Sequence, residues 1–219
     1  MGRLLPHEIA VSASRGHHCQ MRWLARVWFR LSGWHYSGAE PQAHKFVAIG
    51  APHTSNWDFV IFLAVTSHFG VKGKAIGKDT LVRGPFGGLM RRLGIIPVRR
   101  DTGQGMVEQM AQAFAEADEL ALVIAPEGTR RAEPYWRSGF YHIALAAGVP
   151  IVLAKVDREN KRAGLGEEFM PTGDVRADMD HIRAYYAGAV GVRPSGASAI
   201  RLREEGAPDD AGSVGADGL

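Results

Sequence analysis

Apolar residues in this chain fall into two kinds of pattern. Short apolar runs occupy Phe46–Ile49, Ile95–Val98, Leu120–Ile124 and Val149–Val156, the last broken only by Lys155. Runs of that length and composition predict strands. A shorter strand is expected over Lys74–Gly77, and Pro97 predicts an edge or a strand end for the run that contains it. Between these runs the period is helical. Helices are predicted over about 56–69, from Pro85 to Leu93, and over 103–118, where Met106, Met110, Phe114 and Ala117 share one face. Another should start at a Ser138 cap and stop at Gly148. A last one is expected over Asp178–Val190, with Ile182, Tyr185 and Tyr186 as its packing residues.

Strands that alternate with helices predict an α/β fold, a single domain built on a central mixed, largely parallel sheet flanked by helices. Residues 41–203 are expected to form it. Ahead of it, Arg22, Arg26 and Arg30 recur every four residues opposite Trp23, Leu24, Val27, Trp28 and Leu31. The stretch 21–34 therefore predicts an N-terminal amphipathic helix, which with its linker fills 21–40. A basic helix with tryptophan on its apolar side suits a membrane surface, and it equally suits packing on the domain. Residues 1–20 read as a flexible N-terminus. The Gly/Ala/Asp-rich residues 204–219 read as a disordered tail.

Composition narrows the classes. Hydrophobic content of 46% supports a real core, and a formal charge of +3 is too mild to predict a nucleic-acid partner. The sole cysteine, Cys19, rules out an internal disulfide and a cysteine-based zinc cluster. No HExxH occurs, so no metal or other cofactor is expected. No apolar run approaches the ~18 residues of a spanning helix. Met1 to Cys19 lack the apolar core of a signal peptide. The expected setting is cytoplasmic, peripheral on the membrane face if 21–34 binds there.

The chemistry gathers where strands end, which is where open α/β sheets place their ligands. His53 and Asp58 follow the first long strand, five positions apart. One imidazole nitrogen can then pair with the carboxylate while the other faces a substrate, the arrangement of a general base. Glu127-Gly128-Thr129-Arg130-Arg131 come off the buried strand 120–124. Gly128 permits a tight turn, and Thr129 adds a hydroxyl. Arg130 offers a planar fork of donors to a phosphate. Glu127 can accept from a substrate hydroxyl or hold an arginine. Lys78 and Arg100 are candidate anion contacts near two other strands. No GxSxG elbow surrounds any serine, so direct transfer fits better than a covalent acyl-enzyme.

Taken in order, His53 with Asp58, the 77–100 segment, Pro126-Glu127-Gly128-Thr129-Arg130 and Val149-Pro150-Ile151-Val152 resemble the four sequence blocks of the glycerolipid acyltransferases, the 1-acylglycerol-3-phosphate acyltransferase family. The resemblance covers about residues 45–156. It implies that His53 is the catalytic base and Asp58 its orienting partner. It also implies that Glu127, Gly128 and Arg130, in the block that contains Thr129, bind the glycerol-phosphate headgroup, that Arg100 is a second headgroup contact, and that Lys78 is the opening lysine of the second block, a further substrate-binding candidate. The co-substrates would be an acyl thioester, on coenzyme A or acyl carrier protein, and a lysophospholipid. Two positions depart from the family pattern: Thr80 stands where a glutamate is usual, and Ala125 where an aromatic is usual. Other acceptors, a thioester hydrolase and a non-catalytic lipid-surface protein are the competing readings.

Overall fold

The computed structural model describes residue 23 and residues 27–78, 87–88, 95–98 and 103–206, with the backbone alone at 75–78, 95–98 and 103–104. Seven strands form one sheet: β1 (His35–Gly38), β2 (Lys45–Ala51), β3 (Gly73–Lys78), β4 (Ile95–Val98), β5 (Leu120–Ile124), β6 (Ile151–Asp157) and β7 (Arg162–Phe169). Their spatial order is β1-β7-β6-β2-β5-β3-β4. Every neighbouring pair is parallel except β6 and β7. The expected mixed, largely parallel sheet is thus present, and β4 with its Pro97 lies on an edge.

Side chains leave successive residues of a strand toward opposite faces, and β2 divides the core accordingly. Val47 and Ile49 join Leu122, Ile151 and Leu153 under α2 (Gly103–Glu116), α3 (Gly139–Ala147) and α4 (Val175–Tyr186). Phe46 and Ala48 join Val152 and Leu165 under α1 (Trp57–His68) and under Phe29 of the helical residues 27–32. Met110 and Phe114 on α2 are fully buried, as their spacing predicts.

Several expectations need correction. Strands β1 and β7 were not foreseen, because neither carries an apolar run. β7 is held by its neighbours instead. Its approach to β1 is so close that a Cβ on Gly164 would lie 1.7 Å from the Ser37 carbonyl oxygen. Helix α4 begins three residues earlier than expected, because the Asp174 side chain accepts from the N–H groups of Arg176 and Ala177 and caps it. It ends at Tyr186. Ser138 does precede α3, but its side chain makes no capping hydrogen bond. The region from 204 is ordered at its start: Arg203–Glu205 make a turn of 3-10 helix, and Glu205 pairs with Arg183 at 2.6 Å. The helix expected from Pro85 to Leu93 lies outside the described residues, apart from 87–88.

Residues 27–32 resolve part of the amphipathic expectation. Phe29, not assigned to the packing face, is 1% exposed, whereas Leu31, which was assigned to it, is 82% exposed. The segment therefore packs on the sheet through Phe29, whose ring stacks on Tyr36 at 4.1 Å. Phe29→Ala should cost about 3 kcal/mol in a urea unfolding measurement, and Leu31→Ala about 0.5 kcal/mol or less.

Candidate active site

The site is built where β2 and β5 run out together. Ile49 stands opposite Ile124, the last residue of β5, and β2 continues only to Ala51, so the loops that follow both strands leave the sheet at nearby levels. The first bond between them joins backbone to side chain: the His53 N–H donates to Oε1 of Glu127 at 3.0 Å. Glu127 is 2% exposed, and its other oxygen has no hydrogen-bond partner. Its place is therefore beneath the histidine, where it fixes the loop.

Asp58 sits in the first turn of α1 and folds back over the loop before it. Its Oδ2 accepts the N–H of Thr54 at 2.7 Å and that of Ser55 at 2.6 Å. The same oxygen lies 3.4 Å from Nδ1 of His53. Two backbone donors thus orient the carboxylate before it meets the imidazole. That leaves Nε2 of His53 as the nitrogen free of this pairing. Burial holds the imidazole below its ordinary value near 6.5, against the opposing charge of Asp58 and with help from Arg130. Burial likewise raises the Asp58 carboxyl, against the pull of the Ser55 N–H and of His53. A histidine so placed is neutral near pH 7, the form that accepts a proton.

Gly128 turns with φ +67°, and a Cβ there would fall 2.4 Å from Nε of Arg137. The positive φ favours glycine at this turn, and the Arg137 side chain packs over it. It aims Thr129 and Arg130 past the end of β5, and Nη1 of Arg130 donates to Oδ1 of Asn56 on the histidine loop. A cavity of about 400 Å³ opens there between Thr54, Ser55, Trp57, Thr129 and three arginines, Arg130, Arg131 and Arg193. Among the described residues, no carboxylate lines it. A second cavity, of about 350 Å³, adjoins across Trp57, with Trp28, Trp34, Ile61 and Val192 in its wall beside Arg158 and Lys161.

Of the residues expected at the site, His53, Asp58, Glu127, Gly128, Thr129 and Arg130 come together. Lys78 ends β3, the strand beside β5, and its backbone alone is described. Arg100 lies outside the described residues. Asn56, Trp57, Arg137 and Arg193 went unforeseen. Asn56 and Trp57 lie inside the histidine stretch itself and were legible there; Arg193 arrives from a distant, irregular segment with no local signal. Among the described residues, no group of three or more His, Cys, Asp or Glu side chains is placed to share a metal ion.

Glu127 gives the site a pH signature. Burial, with the nearby Asp58 charge, pushes its carboxyl up to about 7 from an ordinary 4.5, while the His53 N–H opposes the rise. Between those values the folded chain keeps a proton that the unfolded chain has released, so stability falls as pH rises through this window. Glu127→Gln keeps an oxygen for the His53 N–H and cannot ionise. Urea titrations should show it gaining about 2 kcal/mol on the wild type between pH 5 and pH 8.

The chain is 29% identical over 142 residues to the 1-acyl-sn-glycerol-3-phosphate acyltransferase of Haemophilus influenzae, covering 60% of this chain and 57% of that protein. It therefore spans little more than half of that relative's length. The fold matches the crystal structure of the 1-acyl-sn-glycerophosphate (LPA) acyltransferase, PlsC, from Thermotoga maritima with a TM-score of 0.50. That match covers 83% of this chain and 82% of the other at 14% identity, a likeness of fold. The sequence model of the Acyltransferase family matches residues 34–154, which take in both strand ends and every residue of the His–Asp and Glu127–Arg131 loops; the chain belongs to that family.

Proposed function

We propose that this chain transfers an acyl group from an acyl thioester to the hydroxyl of a glycerol-phosphate lysolipid, with His53 as general base. One observation carries the reading: a histidine–aspartate pair stands beside a cavity lined by three arginines and, among the described residues, no carboxylate. The pair supplies base chemistry, and the cavity supplies an anion site for the acceptor. The Haemophilus influenzae relative, whose name specifies such an acceptor, supports the same choice.

The steps follow from the placement of the groups. The acceptor phosphate binds the guanidinium groups, which positions the hydroxyl before reaction. Nε2 of His53 takes the hydroxyl proton as the oxygen attacks the thioester carbonyl. Asp58 stabilises the imidazolium and holds its tautomer, a role that needs the carboxylate to stay put. The carbon–sulfur bond then breaks, and the thiolate leaves with the proton from His53. Thr54 and Ser55 act through Asp58, since their N–H groups set its orientation. The second cavity takes the apolar chain against its indoles, Ile61 and Val192, with Arg158 and Lys161 beside them. Trp23 and Leu31 of the N-terminal segment, and Trp57 and Val60 of α1, are exposed apolar side chains, which supports contact with a membrane surface. No helix among the described residues is long and apolar enough to cross a membrane.

Thiol release from palmitoyl-coenzyme A, measured with and without lysophosphatidic acid, tests the proposal. Release should need both the acceptor and His53, and His53→Ala should lose at least about 10²–10⁴ of the rate while its unfolding midpoint stays near wild type. Release that ignores the acceptor would identify a thioesterase. Wild-type turnover by His53→Ala would end the base assignment. Because the imidazole is held below 6.5, kcat/KM should stay level through neutral pH and fall only on the acid side of that value. A limb centred above 7 would contradict it.

A further inference from the structure

The family match ends at residue 154, but a later segment returns to the site. After α4, residues 191–196 (Gly-Val-Arg-Pro-Ser-Gly) cross both catalytic loops. The Arg193 N–H donates to Oγ1 of Thr54 at 2.9 Å. Thr54 is 1% exposed and gives its own N–H to Asp58. A Cβ on Gly191 would stand 2.8 Å from that same hydroxyl. At the other end, a Cβ on Gly196 would stand 2.8 Å from the carbonyl oxygen of Arg130. The segment therefore touches the histidine loop and the arginine loop at points with no room for a side chain. Further on, Glu133 donates its N–H to Ser198 Oγ at 3.0 Å, and Trp136 donates to the Arg201 carbonyl at 2.8 Å. These bonds seat the segment along the same loop.

Between its two close contacts the segment brings Arg193 to the 400 Å³ cavity, beside Arg130 and Arg131. Three guanidinium groups around one cavity offer more donors than a phosphodiester has free oxygens to use. A phosphate monoester, with three unesterified oxygens and close to two charges, matches them better. We infer that residues 191–196 are an acceptor-binding loop outside the family's own blocks, and that Arg193 makes the site specific for a terminal phosphate monoester. The inference rests on the transfer reading above and extends it to a residue that reading does not contain. Thr54 is the positioning residue, since one side chain and one amide tie Arg193 to the carboxylate that orients the base.

The test pairs binding with kinetics on the full chain. Calorimetric titration with sn-glycerol 3-phosphate and with inorganic phosphate reports the site without any turnover. Arg193→Ala should weaken sn-glycerol 3-phosphate about tenfold and raise the lysophosphatidic acid KM by a similar factor. The palmitoyl-coenzyme A KM should not move. Arg193→Lys should recover part of the loss. Thr54→Val, which removes the oxygen that holds the Arg193 N–H, should raise the same acceptor KM, and Thr54→Ser should restore most of it. Unchanged binding and KM in Arg193→Ala would overturn the inference, as would an equal rise in both KM values. Equal affinity for inorganic phosphate and sn-glycerol 3-phosphate would overturn the acceptor assignment. Loss of phosphate binding in Arg193→Ala, from a wild type that shows no acyl transfer, would keep the phosphate site and sink the reaction instead.

Discussion

The hydrogen bond from the His53 N–H to Glu127 joins the loop after β2 to the loop after β5, and the site depends on that junction. It exists because the two strands are parallel neighbours in a register that ends them within two residues of each other. A shift of one residue in that register would move His53 away from Glu127 and turn the strand side chains to the wrong faces. The core and the chemistry are thus set by one alignment. The Val47 and Ile49 side chains fix it from one face of the sheet, and Phe46 and Ala48 from the other.

Built on that junction, the site is a set of loops that hold one another. Asp58 is held by Thr54 and Ser55, Arg130 by Asn56, and the Arg193 backbone by Thr54. Glu127 is buried below them and keeps one oxygen unsatisfied. An unpartnered carboxyl oxygen in the interior costs stability, and such a cost persists where placement of a functional group depends on it. Here the group placed is the histidine backbone.

Much of this was legible in the chain. The strands at 45–50, 95–98, 120–124 and 149–156 announced themselves by apolar runs, and three of them lead into polar clusters. The His53–Asp58 spacing and the Glu127–Arg130 turn identified the two loops that meet. Strand β7 was not legible, because Arg162-Ala-Gly-Leu-Gly-Glu-Glu-Phe has no β-branched residue and owes its conformation to partners on both sides. Phe29 was missed for a related reason. The Arg22, Arg26 and Arg30 stripe fixed a helical face, but tertiary packing on Tyr36 chose which apolar residues were covered. Glu127 was read as a group that faces substrate or holds an arginine, and only the fold shows that it turns toward the backbone of His53. Arg193 lies 135 or more residues beyond the histidine loop in sequence, where no local pattern marks it.

Trp57 stands on the shared wall of the two cavities. Val192 and Arg193, adjacent in sequence, fall on opposite sides of the same divide. Across the width of the Trp57 side chain the wall changes from three arginines on one side to indoles, Ile61 and Val192 beside Arg158 and Lys161 on the other. In the proposed reaction, an amphiphile laid across that boundary would be sorted along its own length, charged end against the arginines and oily end against the rings. The boundary would act as a ruler for where its hydroxyl stops, and Trp57 as the mark from which that ruler is read.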